Sequence, residues 1–202
     1  MGQPGREQDV NTPESNSNRF YELVWPERST VLRTAMLITH NAGKAEEIAQ
    51  EALVKAWRCM HQFDETGGNL MAWLLTILRH TWVDRLRSDS AHMNNNASLD
   101  QLCESGQDPA DTDAVPDTLD IRNADAMMET FSDQTVIAAL KSLPDDMRWT
   151  VLLVDVVELS YELAAEVLGV PVGTVRSRVS RAREALRRRL STLPEAIADE
   201  SA

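Results

Sequence analysis

The sequence predicts an all-α protein of two small helical domains joined by a flexible acidic linker, and three observations lead there. Long stretches rich in Ala, Leu, Glu and Arg set apolar residues at helical spacing, with no β-alternation to compete. Glycine and proline number only eight each in 202 residues, too few for a turn-rich β protein. Charge is unevenly spread: the formal net charge is -12, yet residues 89–133 alone carry eleven carboxylates and one arginine.

The first 18 residues, MGQPGREQDVNTPESNSN, are polar without an apolar core. They predict a disordered tail rather than a signal peptide. No run approaches the roughly 20 apolar residues of a membrane span, so the expectation is a soluble cytoplasmic protein without membrane insertion.

Residues 19–88 form the first predicted domain. Ile48, Ala49, Ala52, Leu53, Ala56, Trp57 and Met60 recur on one side of a helix whose other side carries Glu46, Glu47, Gln50, Glu51 and Lys55. A second helix turns Leu70, Trp73, Leu74, Ile77, Leu78 and Trp82 inward, and Arg79, His80, Arg85 and Arg87 supply charge. An aromatic near a basic patch can stack on an unpaired base, but Trp73 and Trp82 read as core, because the apolar stripe already explains them. Between the helices lies FDETGGNLM, where two glycines allow sharp turns and Asn69 can cap the helix that follows.

Residues 89–133 are rich in Asn, Asp, Ser, Pro and Gly and poor in large apolar residues until Met127, the composition of a solvated linker. In the free chain such an anionic tether has two readings: a plain spacer, or a segment that folds back on basic residues and competes with their anionic partner.

The second predicted domain covers residues 134–194, before an acidic tail over 195–202. Ser132 and Asp133 suit a helix start, and Val136, Ile137, Leu140 and Leu143 follow until Pro144 stops the run. A second helix fits residues 145–157. Ser160 can cap a third, with Glu162 in its first turn and Gly169 as its stop. Pro171 opens a fourth. There Val172, Val175, Val179, Ala182, Leu186 and Leu190 form one stripe, and Arg176, Ser177, Ser180, Arg181, Glu184 and Arg188 the opposite face. A short helix containing Ala164, Ala165 and Leu168, a glycine turn and this last helix make a helix-turn-helix, whose second helix enters a major groove.

Seven arginines and one glutamate fall between Gly173 and Leu190. Arg187, Arg188 and Arg189 suit a solvated helix end that compensates the dipole. Arg176, Arg178 and Arg181 lie toward the helix start, where that explanation fails and a guanidinium fork for phosphate or guanine succeeds.

Cys59 and Cys103 are isolated, and His40, His61, His80 and His92 are scattered without ligand spacing. No metal and no cofactor is expected.

LPDDMRWTVLLVDVVELSYELAAEVLGVPVGTVRSRVSRAREALRRRL closely resembles the promoter −35-reading domain of the extracytoplasmic-function (group 4, sigma-70) sigma factors. GTVRSR and RAR are its most specific pieces. AEEIAQEALVKAWR and AWLLTILRHTWVDRLR resemble the same factors' other domain, which binds core RNA polymerase and the melted −10 element. The resemblance implies −35 contacts from Thr174, Arg176, Ser177, Ser180, Arg181 and Arg183. It implies −10 contacts from Glu65, Thr66, Gly67, Gly68, Asn69, Arg79 and His80, and core-polymerase contacts from Glu47, Gln50 and Glu51. The loop over residues 65–70 corresponds to the part that captures a flipped base. The chain departs from the family at Leu163, Ala164 and Ala165, where Glu-Ile-Ala is usual, and at His80, where Asn is common.

The function so implied is promoter-specific initiation by a non-catalytic subunit, with core RNA polymerase and promoter DNA as partners. It leaves room for an anti-sigma factor in a stress or envelope response. A rival reading is an ordinary helix-turn-helix regulator whose first domain senses a ligand or dimerises. An enzyme is disfavoured, since neither a phosphate-binding glycine loop nor a nucleophile–base pattern is present.

Overall fold

A computed structural model of the chain describes residues 13–93 and 134–191. Ser132, Asp133, the expected linker from residue 94 and the acidic tail lie outside the described residues. Among the described residues all regular structure is helical.

The chain begins with helix α1 (Pro13–Arg19), which continues as a π-helical turn, Phe20–Val24, and a 3-10 turn, Trp25–Glu27. Residues 13–18 are therefore helical, a correction to the tail expected over 1–18. What holds them is non-local: Phe20 and Val24 are buried, and Arg19 bonds to Glu65 and to the Phe63 carbonyl. Helices α2 (Arg28–Thr39) and α3 (Ala42–Arg58) pack against each other. Asn41 starts α3 by accepting a bond from the Lys44 amide at 2.9 Å, which satisfies a backbone donor the helix itself cannot. The predicted α3 stripe is buried from Ile48 to Ala56, and Met60, on a short 3-10 turn beyond the helix, is fully enclosed.

Helix α4 (Leu70–Met93) runs past the expected domain boundary at residue 88. Leu74 and Leu78 are buried as predicted, but Leu75, outside the predicted stripe, is equally enclosed, and Trp73, Ile77 and Trp82 are half-buried. The helix-turn-helix covers a further side of α4, the one bearing Ala72, Trp73 and Thr76.

In the second domain α5 (Gln134–Lys141) is followed by α6 (Asp145–Val151). Val136, placed in the α5 stripe by its spacing, is 40% exposed; the short helix buries only the side bearing Ala139 and Leu140. Helix α6 passes directly into a π-helical turn, Leu152–Val156, so the predicted helix over 145–157 is present with altered winding. Glu158, in the left-handed region at φ 61, turns the chain. Ser160 caps α7 (Tyr161–Leu168) by accepting from the Leu163 amide, and Gly169 ends it at φ 65. Helix α8 (Val172–Ser191) buries Val175, Val179 and Ala182, whereas Leu190 at the end of its stripe is 39% exposed.

The two domains pack on one another. Helix α7 lies on α4, the end of α2 meets α5 and α6, and the buried residues of both form one continuous cluster.

Candidate nucleic-acid interface

Three surfaces carry the predicted site residues. On α8, the buried valines fix the helix so that Arg176, Ser177, Ser180 and Arg181 are exposed together on the far side. Arg176 is 3.9 Å from the Glu162 carboxylate and lies over the Tyr161 ring at 5.9 Å. Arg181 donates to the Ser177 carbonyl at 3.2 Å, and Ser177 Oγ to the Thr174 carbonyl at 2.9 Å. These are weak surface tethers, so both guanidinium groups are available to a ligand. Thr174 is half-buried in the first turn. Arg183 is held differently: Asp155 accepts two bonds from it, at 2.6 and 3.1 Å, and that pairing raises its pKa. Arg178 bonds to Asp146 at 3.0 Å and is mostly covered. Of the seven arginines on α8, Arg176 and Arg181 thus differ from Arg178 and Arg183, which are engaged with carboxylates of their own domain.

The second surface is the loop between the short turn Met60–Gln62 and α4. Asp64 organises it. Its carboxylate accepts from the Thr66 amide at 2.9 Å and the Thr66 hydroxyl at 2.6 Å, and these bonds hold its pKa below the ordinary carboxylate value. The Gly68 amide closes the loop onto the Asp64 carbonyl at 2.9 Å. A Cβ on Gly68 would stand 2.5 Å from that carbonyl oxygen, so glycine is required there by close approach. Asn69 caps α4, accepting from the Ala72 amide at 2.9 Å. Glu65 is tied to Arg19 at 2.6 Å, while Thr66 and Gly67 are exposed.

Beside this loop is a cleft of about 280 Å³. Phe63 and Trp73 line it, their rings 5.2 Å apart, so Trp73 is a wall of the cleft as well as a packing residue. Asp64, Gly68, Asn69 and Thr76 add polar edges, and Leu163 and Glu166 of α7 form the opposite wall. Farther along α4, Arg79 and His80 are half-buried. Burial, and then the charge of Arg178, lowers the Arg79 pKa; burial, and then neighbouring Arg79, lowers that of His80.

The third surface is the polar side of α3. Glu47, Gln50 and Glu51 are exposed on it. Glu47 pairs with Arg85 at 2.8 Å and Glu51 with Lys55 at 3.0 Å, which leaves Gln50 between two partly neutralised carboxylates.

Sequence reasoning missed three contributors. Arg148 is buried, and its guanidinium donates to the carbonyls of Leu140, Lys141 and Leu143, to Asp145 and to the Ile38 carbonyl. Arg19 anchors the loop, and Glu166 joins Leu163 in facing the cleft. Only the departure at Leu163 left a signal in the sequence. Among the described residues no group of three His, Cys, Asp or Glu side chains stands close enough to hold a metal ion. No helix among them is long and apolar enough to cross a membrane.

Residues 23–92 match sigma-70 region 2, and residues 133–186 match sigma-70 region 4. The chain is 30% identical to the RNA polymerase sigma-H factor of Pseudomonas aeruginosa, over 86% of this chain and 87% of that one. It is 29% identical to the ECF RNA polymerase sigma factor SigW of Bacillus subtilis, over 88% and 92% of the two. Among solved structures it is similar to the sigma factor RpoE crystallised with the anti-sigma factor NepR from Bartonella quintana, with TM-score 0.63, 28% identity and coverage of 87% of this chain and 98% of that one.

Proposed function

This chain belongs to the extracytoplasmic-function sigma factors of the sigma-70 family, and from that premise we propose how its residues divide the work of directing RNA polymerase to promoters. Arg176, Ser177, Ser180 and Arg181, with Thr174 at the helix start, read the −35 duplex, and Arg183 braces the reading helix through Asp155. The loop over residues 65–69 and the Phe63/Trp73 cleft take an unpaired −10 base, with Arg79 and His80 along the strand's path. The exposed side of α3 at Glu47, Gln50 and Glu51 meets core polymerase.

The observation that carries this reading is the face of α8, where two arginines and two serines stand exposed directly opposite a buried valine stripe. A helix placed in the major groove presents such a face: guanidinium forks for base edges and small hydroxyls that permit close approach. The cleft supports the second half of the reading, because a flipped base needs an aromatic wall and polar edges in one place. Binding energy from both contacts offsets the cost of unstacking DNA. The chain itself catalyses nothing in this scheme, nucleotide transfer belongs to polymerase, and the cytoplasm is where it acts. An anti-sigma factor is included as a partner because the RpoE relative was crystallised with one.

The test is reconstitution with core polymerase. The wild-type chain is expected to give promoter-dependent transcripts and −35 footprints, and the Arg176→Ala, Arg181→Ala pair to lose the footprint while still binding core. Charge reversal at Glu47 and Glu51 is expected to do the opposite. Footprints unchanged by the arginine pair would end the −35 assignment.

A further inference from the structure

The buried stripe of α8 is narrow and made of small residues, Val175, Val179 and Ala182. Apolar contact of this kind is non-directional. It holds the helix against its domain but does little to fix the roll of the helix about its own axis. Roll decides which side chains of α8 meet a duplex. A working site tolerates only about 10–20° of misorientation, and one residue along the helix is already about 100°.

Two ion pairs supply the missing constraint. Arg178 and Arg183 are about 140° apart round the helix, one on each flank of the buried stripe. Arg178 reaches Asp146, in the first turn of α6, at 3.0 Å. Arg183 reaches Asp155, in the π-helical turn at the other end of the same segment, at 2.6 and 3.1 Å. A roll in either direction pulls one arginine away from its carboxylate. The π-helical turn has a part in this. With regular α winding Asp155 would follow Val151 and Leu152 toward the buried side, whereas the wider turn brings it to the rim opposite Arg183. There the planar guanidinium takes both carboxylate oxygens, which fixes orientation as well as distance. Ion pairs at a partly exposed rim add little stability, so the geometric constraint is their larger effect.

We infer that Asp146 and Asp155 are positioning residues for −35 recognition: through Arg178 and Arg183 they set the roll of α8, and thereby which bases Arg176, Ser177, Ser180 and Arg181 meet. Neither carboxylate touches DNA. The inference rests on the assignment of that exposed face to the −35 duplex. Both pairs are internal to the second domain, so the constraint does not depend on what the first domain contacts.

The experiment assembles the full chain with core polymerase, selects bound duplexes from a random-sequence DNA library, and sequences the bound fraction. Base preference at −35 and at −10 is then read from the same molecules. The double variant, Asp146→Asn with Asp155→Asn, is expected to lose preference for the selected −35 bases by about fivefold or more, and each single variant to lose part of it. Preference at −10 is expected to be kept, and the salt dependence of binding to stay that of wild type, because no phosphate contact is removed. Asp155→Glu, which retains a carboxylate for Arg183, is expected to restore most of the preference. Wild-type sharpness at −35 in the double variant would overturn the inference, as would an equal loss at −35 and −10, the mark of general destabilisation. Should the double variant melt below the assay temperature, the single variants decide, and unchanged −35 sharpness in both overturns it. A wild-type chain that selects no −35 sequence defeats the −35 assignment itself, whereas a wild-type preference untouched by the substitutions defeats only the positioning role.

Discussion

The guanidinium of Arg148 donates to the main-chain oxygen of Ile38 at 3.3 Å, joining residues 110 positions apart. Ile38 lies in the last turn of α2, where carbonyls lack intrahelical partners. The same guanidinium serves Leu140, Lys141 and Leu143 at the end of α5. One side chain therefore finishes two helices in different domains.

Replacing Arg148 tests that arrangement. Arg148→Met fills comparable space but strands several buried carbonyls, and is expected to cost about 3 kcal/mol in urea unfolding. Arg148→Lys retains the charge yet lacks the planar fork, so it should recover only a small part of the loss. A lysine variant as stable as wild type would show that charge alone matters.

His40 is expected to give the fold a pH dependence below neutrality. It ends α2 in the left-handed region at φ 53, and neither ring nitrogen has a hydrogen-bond partner among the described residues. Burial, then Arg148 and Lys141, lower its pKa to about 4, with Asp145 opposing. The unfolded chain takes up this proton below about pH 6.5, whereas the folded chain does so only near 4. Stability is thus complete above 6.5 and is lost as pH falls toward 4, by at most roughly 3 kcal/mol. His40→Asn, which tolerates the left-handed backbone, should flatten thermal melting temperature over that window. An identical pH profile in the variant would exclude His40 as the source.

Two glycines should fail for different reasons. At Gly169 an added Cβ meets nothing within 4 Å, but φ is +65, so Gly169→Ala should cost about 1–2 kcal/mol from backbone strain alone. Gly68→Ala forces a methyl against the Asp64 carbonyl. It should disturb the loop and weaken promoter opening more than global stability. Amide exchange localised to residues 64–69 would check this.

Among the α8 arginines the expected pattern is a split. Arg176→Ala or Arg181→Ala should lower −35 duplex affinity by about 1–3 kcal/mol if each makes a bidentate base contact, leaving thermal stability unchanged. Arg183→Ala breaks a pair with Asp155 that is half exposed and should cost up to about 1 kcal/mol of stability. Gel-shift titration beside melting curves separates the two classes.

What the sequence made legible was encoded within a few residues. Asn69, Ser160 and Gly169 act as caps at the positions their neighbours implied, because capping spans only three or four residues. The α8 stripe followed from a single periodicity. The cover that α7 gives α4 at Ala72 and Thr76 did not, since that partner lies beyond the linker, and a helix that looks simply apolar does not say how many neighbours cover it. Arg148 was equally opaque: an arginine in a helical run reads as solvated until its acceptors, some of them far away in sequence, are known. Helix α1 looked like tail because its own residues are polar and its anchors, Phe20 and Arg19, lie at or past its end.

Arg19 has a practical consequence for anyone dissecting this chain. The family match begins at residue 23, and a fragment trimmed to that boundary would discard the guanidinium that grips Glu65 at 2.6 Å and the Phe63 carbonyl at 3.1 Å. Such a fragment would also lose the buried Phe20, so it would melt earlier as well as carry a loop cut loose from one of its fastenings. Weak strand capture by it would report on the scissors rather than on the protein.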